Sequence, residues 1–420
     1  MMVIEGRAYY EGELQHLCLG VEGGVIKKIG KTLKGDEKHD FGDMILLPGG
    51  IDVHVHFREP GLTHKEDFYT GTESAAVGGI TSVLDMPNTL PPGDTADALL
   101  KKRGRVSGKA NVDFGLFAGV QSSGGLRDLE GYCHAFKVYM AESFGQPGIP
   151  PDELPRLLQA LKASARRLTV HAEDPARFRA VEEHSLRDHW SARPDQAEEA
   201  AIRRLAAREN GQIHVAHLSS RLGLAALEGT RLSSEATPMH LLLTLDAPLG
   251  ALGKVNPPLR TRVDTEAIWR AFSSGRIDVL ASDHAPHTLE EKEEFSTAPP
   301  GAPNVETTYA LMFRMVKRGK LSLKTLVSAL CSRPAELFGL GSKGGIRVGG
   351  DADIVVFNPR EVVKVRSEDL HYKCGWTPFE GWEAIFPKAT FLRGILVARE
   401  RELERARKGR WLPLGEPHVP

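Results

Sequence analysis

The sequence has few cysteines, almost no net charge and no long apolar segment. Its four cysteines are spread over 420 residues without CxxC spacing, so they indicate neither a disulfide framework nor a thiolate zinc site. A formal net charge of −1 provides no overall basic surface for nucleic acid or an anionic membrane. Because charged residues interrupt every long apolar run, including the first residues, we expect a cytoplasmic protein without a signal peptide or membrane span.

The remaining composition is that of a soluble globular protein. Hydrophobic residues make up 41% of the chain, which is enough to bury a core and argues against a disordered or fibrous class. The length suits several domains or one large barrel with an accessory part. We therefore expect a small-molecule substrate, and neither nucleic acid nor membrane as a partner.

The two ends of the chain differ in pattern from its middle. Short β-type runs with glycine-rich turns predict a small β-sandwich domain formed jointly by residues 1–48 and 345–420. Within the second part, charges of alternating sign along residues 399–410 are typical of a solvated helix face rather than a binding tail. The middle, residues 49–344, alternates strand-like and helix-like patterns and is predicted to form a separate domain.

Eight apolar, β-branched runs stand out in this middle part. They are residues 51–56, 80–86, 112–118, 135–140, 168–172, 212–217, 232–237 and 277–283. Helix-like segments lie between several of them, as crossover connections between parallel strands require. The pattern predicts an α/β fold, a (β/α)8 TIM-like barrel, in which functional residues cluster at the C-terminal ends of the strands.

Metal-ligand residue types occur at several of these ends. His54 and His56 close the first run, where side chains two positions apart share a face and can bind one ion. Alone, such a pair can equally be two core histidines with backbone partners. However, His171, His217 and Asp283 close the fifth, sixth and eighth runs. Five nitrogen or oxygen donors at the mouth of one barrel predict a metal centre.

Lys137 closes the fourth run and is expected to point into the same mouth. An ammonium group there would be repelled by metal ions, so the lysine is expected to be uncharged or modified. A neutral amine reacts with carbon dioxide to give a carbamate, whose two oxygens can bridge two metals. The alternative is a lysine that extends to the barrel rim or contacts the substrate.

Several motifs together identify a family resemblance that runs almost from end to end. The matching stretches are GGIDVHVHFREPG (49–61), DMPNT (85–89), FKVYMAES (136–143), VHAED (170–174), NPPLR (256–260), SDHAPHT (282–288) and KCGWTPFEGW (373–382). As a set they resemble the dihydroorotases of the amidohydrolase superfamily, of the type related to hydantoinases and allantoinases.

The resemblance implies a binuclear site, usually with two zinc ions per subunit. The implied ligands are His54, His56 and Asp283 on one ion and His171 and His217 on the other, with N6-carboxylated Lys137 as the bridge. In the implied mechanism the two metals lower the pKa of a water molecule that attacks the ring amide. Asp283 is expected to be both a ligand and the catalytic proton shuttle.

Three further histidines are left outside the ligand set. His214 lies three residues before His217, and strand geometry therefore directs it to the opposite face. We interpret His214 and His284 as structural. His240 stands where relatives often have two adjacent histidines, and the sequence assigns it no role among the ligands.

The resemblance also implies a substrate pocket. Dihydroorotate carries a ring carboxylate, and Arg58 supplies a planar guanidinium suited to it, unless it forms a surface ion pair with a neighbouring glutamate. Asn88 and His287 are expected to complete the carboxylate site, and Asn256 to meet the ring amides. Residues 288–303 are predicted to form a loop that could cover the bound ring.

The implied activity is reversible hydrolysis of (S)-dihydroorotate to N-carbamoyl-L-aspartate, a step of de novo pyrimidine (UMP) biosynthesis. One alternative is a hydantoinase or dihydropyrimidinase, which would share everything but the carboxylate pocket. Another is a non-catalytic subunit that stabilises an aspartate carbamoyltransferase, although such partners usually lose metal ligands. The resemblance suggests a homodimer and leaves association with an aspartate carbamoyltransferase open.

Overall fold

Two large sheets organise the chain, one built from its ends and one from its middle. The computed structural model describes residues 1–142, 147–208 and 211–414. The end of the FKVYMAES motif and residues 415–420 of the predicted terminal domain therefore lie outside the described residues. The first strands are β1 (Met2–Tyr10), β2 (Glu13–Glu22), β3 (Val25–Gly30) and β4 (Glu37–Pro48).

The middle of the chain forms the predicted barrel. Its strands are β5 (Gly50–Val55), β6 (Ile80–Asp85), β7 (Asp113–Gly119), β8 (Ala135–Tyr139), β9 (Arg167–His171), β10 (Ile213–Val215), β11 (Ser233–Ala236) and β12 (Val279–Leu280). They pair in parallel in chain order. A parallel bridge between Val55 and His284 brings the eighth strand region against the first. The (β/α)8 prediction is confirmed, and each of the eight predicted runs overlaps one strand.

Helices cover the outside of the barrel strands. They are α1 (Phe68–Val77), α2 (Ala96–Val106), α3 (Leu126–Glu130), α4 (Glu153–Leu161), α5 (Leu186–Ala192), α6 (Asp195–Ala206), α7 (Arg221–Ala226), α8 (Pro238–Leu242), α9 (Arg262–Ser273), α10 (Val305–Lys317), α11 (Leu323–Val327) and α12 (Arg333–Leu337). In α4, Leu154, Leu157, Leu158 and Leu161 are buried, which is the spacing of one apolar helix face. Among the described residues, none of the helices has the length and apolar character needed to cross a membrane.

The second sheet joins the two ends of the chain. Its later strands are β13 (Ile354–Phe357), β16 (Pro387–Leu392), β17 (Ile395–Arg399) and β18 (Glu402–Leu403), while β14 (Val363–Lys364) and β15 (Glu383–Ala384) form a separate pair. Antiparallel pairing of β4 with β13 connects the two ends of the chain. Ile26 and Phe391 belong to one apolar cluster, so this sheet packs against a hydrophobic core of its own. The domain boundaries at 48/49 and 344/345 stay a prediction.

The helix predicted over residues 399–410 is wrong. Arg399 ends β17, and the chain turns at Glu400 and Arg401 into β18, with Arg399 opposite Glu402. Most of these residues are exposed, so the solvated character is as expected. Alternating charges indicate a solvent-exposed segment, but they do not show whether that segment is a helix, with a period of 3.6 residues, or a strand, with a period of two.

Candidate active site

The predicted ligands of the first metal meet at the carboxyl end of the barrel. Asp283 Oδ1 lies 3.4 Å from His54 Nε2 and 3.2 Å from His56 Nε2. These three side chains form a group whose donor atoms could hold one metal ion. Lys137 Nζ lies 3.4 Å from His54 Nε2, on the neighbouring side of the same group.

The predicted ligands of the second metal lie next to the first group. His171 Nδ1 is 3.0 Å from His217 Nε2. Two neutral ring nitrogens at this distance attract each other only if a proton or a metal ion lies between them. The ring of His217 stacks at a tilt on that of His54, with 5.4 Å between centroids. The two groups of donors are therefore adjacent.

The spacing of these donors fits metal ions. Two ligand atoms that are each about 2.1 Å from a tetrahedral zinc ion lie roughly 3.4 Å from each other. The observed separations of 3.2 and 3.4 Å around Asp283 Oδ1 and of 3.0 Å between His171 and His217 match this geometry. Both groups are thus preformed for ions, while the ligand roles of the individual residues stay predictions.

Burial places the donors in their metal-binding protonation states. It lowers the pKa of His56 to about 3 and also lowers the pKa of His171 and His217, which keeps the three rings neutral. Burial opposes the charge of Asp283, but the electrostatic interaction with His54 and the hydrogen bond with His56 outweigh it and hold the pKa of Asp283 below its usual range.

Acceptors behind the ligands orient three of the four imidazoles. His54 Nδ1 contacts Glu235 Oε1, and His56 Nδ1 lies 2.6 Å from Asn88 Oδ1. His171 Nε2 lies 2.8 Å from Glu173 Oε2, a carboxylate that also accepts hydrogen bonds from Arg193. Partners of this kind fix the tautomer and orientation of a metal-binding histidine. The fourth ring, His217, has a buried Nδ1 without a partner among the described residues.

Sequence reasoning missed Glu173 and Glu235. Glu173 stands inside the VHAED motif, and Glu235 lies within the buried seventh strand. The residue pattern alone gave neither carboxylate a role. A fully buried charge in such a strand is itself a signal, because it needs a partner to compensate its desolvation.

Glu235 connects both groups of donors. Its Oε1 accepts a hydrogen bond from the backbone N–H of His217 at 3.2 Å in addition to contacting His54, and its Oε2 lies 3.1 Å from His214 Nε2. Burial opposes its charge, but the two imidazoles outweigh that effect and hold the pKa of Glu235 well below its usual value. His214 thus lies behind the ligands as a partner of Glu235.

We expect Glu235→Gln to weaken metal binding by about 10- to 100-fold, the usual consequence of losing a carboxylate behind a histidine ligand. The amide group has one acceptor oxygen in place of two, so it cannot satisfy His54, His214 and the His217 amide together. Competition with a chromophoric chelator measures the affinity. Glu228→Gln, which changes an exposed glutamate beside Arg276, is the matched control. Equal affinities in the two variants would contradict the assigned role.

Three site residues adopt an unusual backbone conformation. Arg58, His217 and Asp283 have φ angles of 61°, 35° and 47°. Residues other than glycine adopt this left-handed region at an energetic cost, and such cases concentrate at functional sites. Each of the three residues stands in the segment that follows a barrel strand, where this backbone conformation sets the direction of its side chain.

Arg58 and His287 form a buried pair of side chains within hydrogen-bond distance. Arg58 is 1% exposed, its Nε donates to Pro286 O at 3.2 Å, and its Nη2 lies 3.1 Å from His287 Nε2. The carbonyl of His287 accepts a hydrogen bond from Trp376 Nε1 at 2.7 Å. Burial lowers the pKa of Arg58 to about 10, which still leaves a cation at neutral pH. A buried positive charge at this place favours an anionic ligand group.

The other predicted substrate residues are placed as follows. Asn88 contacts His56 through its Oδ1, and its Nδ2 is buried without a partner among the described residues. Asn256 is held separately, with its Oδ1 2.9 Å from His189 Nε2. His240 lies 2.9 Å from Thr237 Oγ1 and 3.0 Å from Pro257 O through its two ring nitrogens, which leaves it a structural partner of these groups.

The predicted loop over residues 288–303 is anchored. Lys292 Nζ donates to Lys254 O at 3.0 Å and to Pro299 O at 2.8 Å, while Glu291 forms a 2.6 Å ion pair with Lys65. A short 3-10 turn at residues 290–292 is the loop's regular structure. These contacts make it a fixed wall beside His287, and whether it covers a bound ring stays a prediction.

A second group of carboxylates has a different explanation. Asp113, Asp351 and Asp353 are also close enough to hold a cation. Lys343 Nζ already lies among them, 2.9 Å from Asp351 and 2.8 Å from Asp353. Since Asp113 belongs to the barrel and Asp353 precedes β13, this cluster links the barrel to the terminal sheet.

Comparisons with known proteins show the family of this chain. Residues 45–394 match the model of the Amidohydrolase family. The chain belongs to the amidohydrolase family. Its curated relatives include the dihydroorotase of Halobacterium salinarum, 39% identical over 94% of this chain and 96% of that protein. The dihydroorotase of Archaeoglobus fulgidus is 40% identical over 93% and 96% of the two chains.

Solved structures similar to this amidohydrolase bear a different activity in their names. The L-hydantoinase (dihydropyrimidinase) from Arthrobacter aurescens aligns with a TM-score of 0.93 at 28% identity, over 98% of this chain and 99% of that chain. The D-hydantoinase (dihydropyrimidinase) from Thermus sp. aligns with a TM-score of 0.89 at 26% identity, over 99% of both chains. The fold alone therefore does not distinguish the two activities, and the distinction has to come from the residues around Arg58.

Proposed function

We propose that this amidohydrolase is a dihydroorotase, which reversibly opens the ring amide of (S)-dihydroorotate to N-carbamoyl-L-aspartate in de novo pyrimidine biosynthesis. The observation that carries the proposal is the buried guanidinium of Arg58 beside His287, two residues beyond His56 of the preformed metal donors. Dihydroorotate bears a ring carboxylate that such a cation can pair with. Hydantoin and dihydrouracil lack that group, although their ring amides are similar.

We propose two zinc ions as the metals. His54, His56 and Asp283 would hold one ion, His171 and His217 the other, and a carbamate on Lys137 would bridge them. Burial lowers the pKa of Lys137 to about 8, so a usable fraction of the amine is neutral and can add to carbon dioxide. When bound, the ions lower the pKa of a water molecule and polarise the carbonyl group that it attacks.

Asp283 is the proposed proton carrier of the reaction. The water oxygen forms a bond to the carbonyl carbon, and Asp283 takes a proton from that water. The ring C–N bond then breaks, and Asp283 returns the proton to the nitrogen. Its low pKa keeps it ionised before the reaction and therefore able to accept a proton. In the reverse direction the same transfers close the ring with loss of water.

Pocket residues orient the substrate for these transfers. Arg58 and His287 would bind the ring carboxylate together with Asn88, and Asn256 would contact the ring amides. The anchoring of Arg58 by Pro286 O and of His287 by Trp376 holds the carboxylate site rigid before substrate arrives. A rigid site of this kind keeps the ring amide at a constant distance from Asp283.

The test is ring opening by the purified chain before and after chelation. We expect chelator-sensitive opening of dihydroorotate and at most weak activity on hydantoin and dihydrouracil, because these lack the carboxylate that Arg58 binds. Arg58→Met should lower kcat/KM for dihydroorotate by roughly 10- to 100-fold, since charge-assisted hydrogen bonds are lost.

The possible outcomes separate the candidate functions. Opening of the two carboxylate-free rings alone would move the chain to the hydantoinase activities named for its structural neighbours. No activity on any ring with metals fully bound would favour a non-catalytic subunit. Metal analysis of the assayed sample makes the second outcome interpretable.

The remaining assignments are proposals about assembly and location. We propose a cytoplasmic homodimer that can associate with an aspartate carbamoyltransferase, an enzyme that makes N-carbamoyl-L-aspartate. Light scattering after size exclusion, with and without that enzyme, measures both assemblies. A monomer whose mass is unaffected by the added enzyme would contradict them.

A further inference from the structure

His217 differs from the other imidazoles of the site in how its ring is held. His54, His56 and His171 each have an acceptor behind the ring. The ring nitrogen of His217 that is not directed at His171, Nδ1, is buried without a partner among the described residues. His217 also lies two residues beyond the end of β10 with a φ of 35°, so strand pairing alone does not fix it. The direction of its ring therefore depends on what holds the segment that follows.

Arg260 holds that segment. Its side chain is buried, and its Nε donates a hydrogen bond to Ser219 Oγ at 3.0 Å, two residues beyond His217. Ser219 in turn donates to the buried carboxylate of Glu198 through its backbone N–H at 2.8 Å and its hydroxyl at 2.9 Å. The segment after His217 is thus anchored to the interior of the protein from two sides.

The same guanidinium contacts the residue that supports His171. Its Nη1 donates to the backbone carbonyl of Arg193 at 2.6 Å and lies 3.2 Å from Asp195 Oδ1. The side chain of Arg193 donates to Glu173 Oε2 at 2.7 Å, and that oxygen lies 2.8 Å from His171 Nε2. Arg260 therefore connects the supports of both histidines that are proposed to bind the second ion.

Stability alone does not explain an arginine at this place. Burial of a guanidinium costs free energy, and Arg260 Nη2 has no hydrogen-bond partner among the described residues to offset that cost. Apolar side chains of similar volume often support a fold as well or better. They cannot, however, donate to Ser219 and to the carbonyl of Arg193 from one rigid plane, as the guanidinium does. The geometry thus favours a role in orientation.

We propose that Arg260 is a positioning residue for the second metal ion, which fixes the separation of His171 and His217 from behind. The 3.0 Å between His171 Nδ1 and His217 Nε2 suits two ligands of one zinc ion, and metal sites tolerate errors of only about 0.2 Å in the ligand distances. The inference rests on the proposed function, because it takes these two histidines as ligands. The first ion is held by a different group of donors, so its affinity should not depend on Arg260.

Arg260→Met removes both hydrogen bonds and keeps most of the side-chain volume. We expect the affinity of the second zinc ion to fall about 10- to 100-fold, the usual consequence of losing a group behind the ligands. The first ion should bind as it does in the wild-type chain. Stepwise titration of metal-free protein with zinc, in bicarbonate buffer and against a chromophoric chelator, measures both affinities.

Arg167→Met is the matched control. Arg167 also donates to a backbone carbonyl and to a serine hydroxyl, Leu337 O at 3.0 Å and Ser233 Oγ at 3.1 Å. It begins β9, however, whereas His171 ends that strand. A variant that loses the same kinds of hydrogen bond at the other end of the barrel should keep both zinc affinities.

A double variant distinguishes positioning from a general loss of structure. His217→Ala removes a proposed ligand of the second ion, so that the first ion can be measured alone. Addition of Arg260→Met should leave the affinity of that remaining ion unchanged, because the histidine that Arg260 positions is already gone. A further fall would show that Arg260 supports the barrel mouth as a whole and would overturn the inference. Wild-type affinities for both ions in the single variant Arg260→Met would overturn it as well.

Ser219→Ala provides the test if Arg260→Met does not fold. It removes the hydroxyl that accepts from Arg260 Nε, while the backbone N–H of Ser219 still donates to Glu198. We expect the second ion alone to lose about 2- to 10-fold in affinity, and an unchanged second ion would contradict the role of Arg260. The zinc content of the wild-type chain is measured first. Fewer than two ions per chain would refute the proposed two-ion site itself, whatever the variants do.

Discussion

Asp283→Asn is expected to lower turnover of dihydroorotate by about 10²- to 10⁴-fold, the contribution typical of a positioned acid–base group. The amide keeps the shape of the side chain and one oxygen toward His54 and His56, but it cannot carry the proton from water to the ring nitrogen. Substrate affinity should change far less, since the proposed carboxylate site at Arg58 is untouched. Steady-state kinetics with metal-saturated protein measures both effects.

The control for this variant must separate proton transfer from metal loss. Asp246→Asn changes an exposed aspartate that pairs with Arg187 and has no proposed role in the site. It should leave both turnover and substrate affinity unchanged. Metal content of Asp283→Asn is determined on the assayed sample. Near-normal turnover with both metals bound would show that Asp283 is not the proton carrier.

Replacement of Lys137 is expected to have the second large effect. Lys137→Gln cannot form a carbamate, so both groups of donors would lose the proposed anionic bridge, and we expect turnover to fall by more than about 10³-fold together with metal affinity. Native mass spectrometry of the wild-type chain should find one added carbon dioxide, and the variant should lack it. Lys162→Gln, at an exposed lysine beyond α4, is the matched control.

The proposed carboxylation of Lys137 also predicts that activity depends on carbon dioxide and pH. Metal-free protein should regain activity with zinc only when bicarbonate is present. Because burial lowers the pKa of Lys137 to about 8, the neutral amine increases as pH rises through that value, and reactivation should become faster over the same range. Equal recovery in carbon-dioxide-free buffer would exclude the carbamate and leave an unmodified lysine at the site.

Much of the barrel and of the donor set could be predicted from local pattern. Apolar β-branched runs mark buried parallel strands wherever they occur, and the carboxyl ends of such strands meet at one mouth. The residue types at those ends, from His54 to Asp283, therefore predict a metal centre at this mouth. The structure brings these donor atoms within 3.0 to 3.4 Å of one another.

Contacts between distant parts of the chain could not be predicted in the same way. His54 and Glu235 are 181 positions apart, and Arg58 and His287 are 229 positions apart. No local period encodes such pairs. The surface hairpin at Arg399–Glu402 escaped prediction for a related reason, because exposed charges leave the choice between helix and strand to pairing with a neighbouring strand.

The sequence by itself therefore determined the barrel and the donor types at its mouth, since strand periodicity and strand ends are local properties. The tertiary structure decided which carboxylate orients which imidazole and how deeply Arg58 is buried. These features depend on burial and on the distance between atoms, which arise only when remote segments pack together.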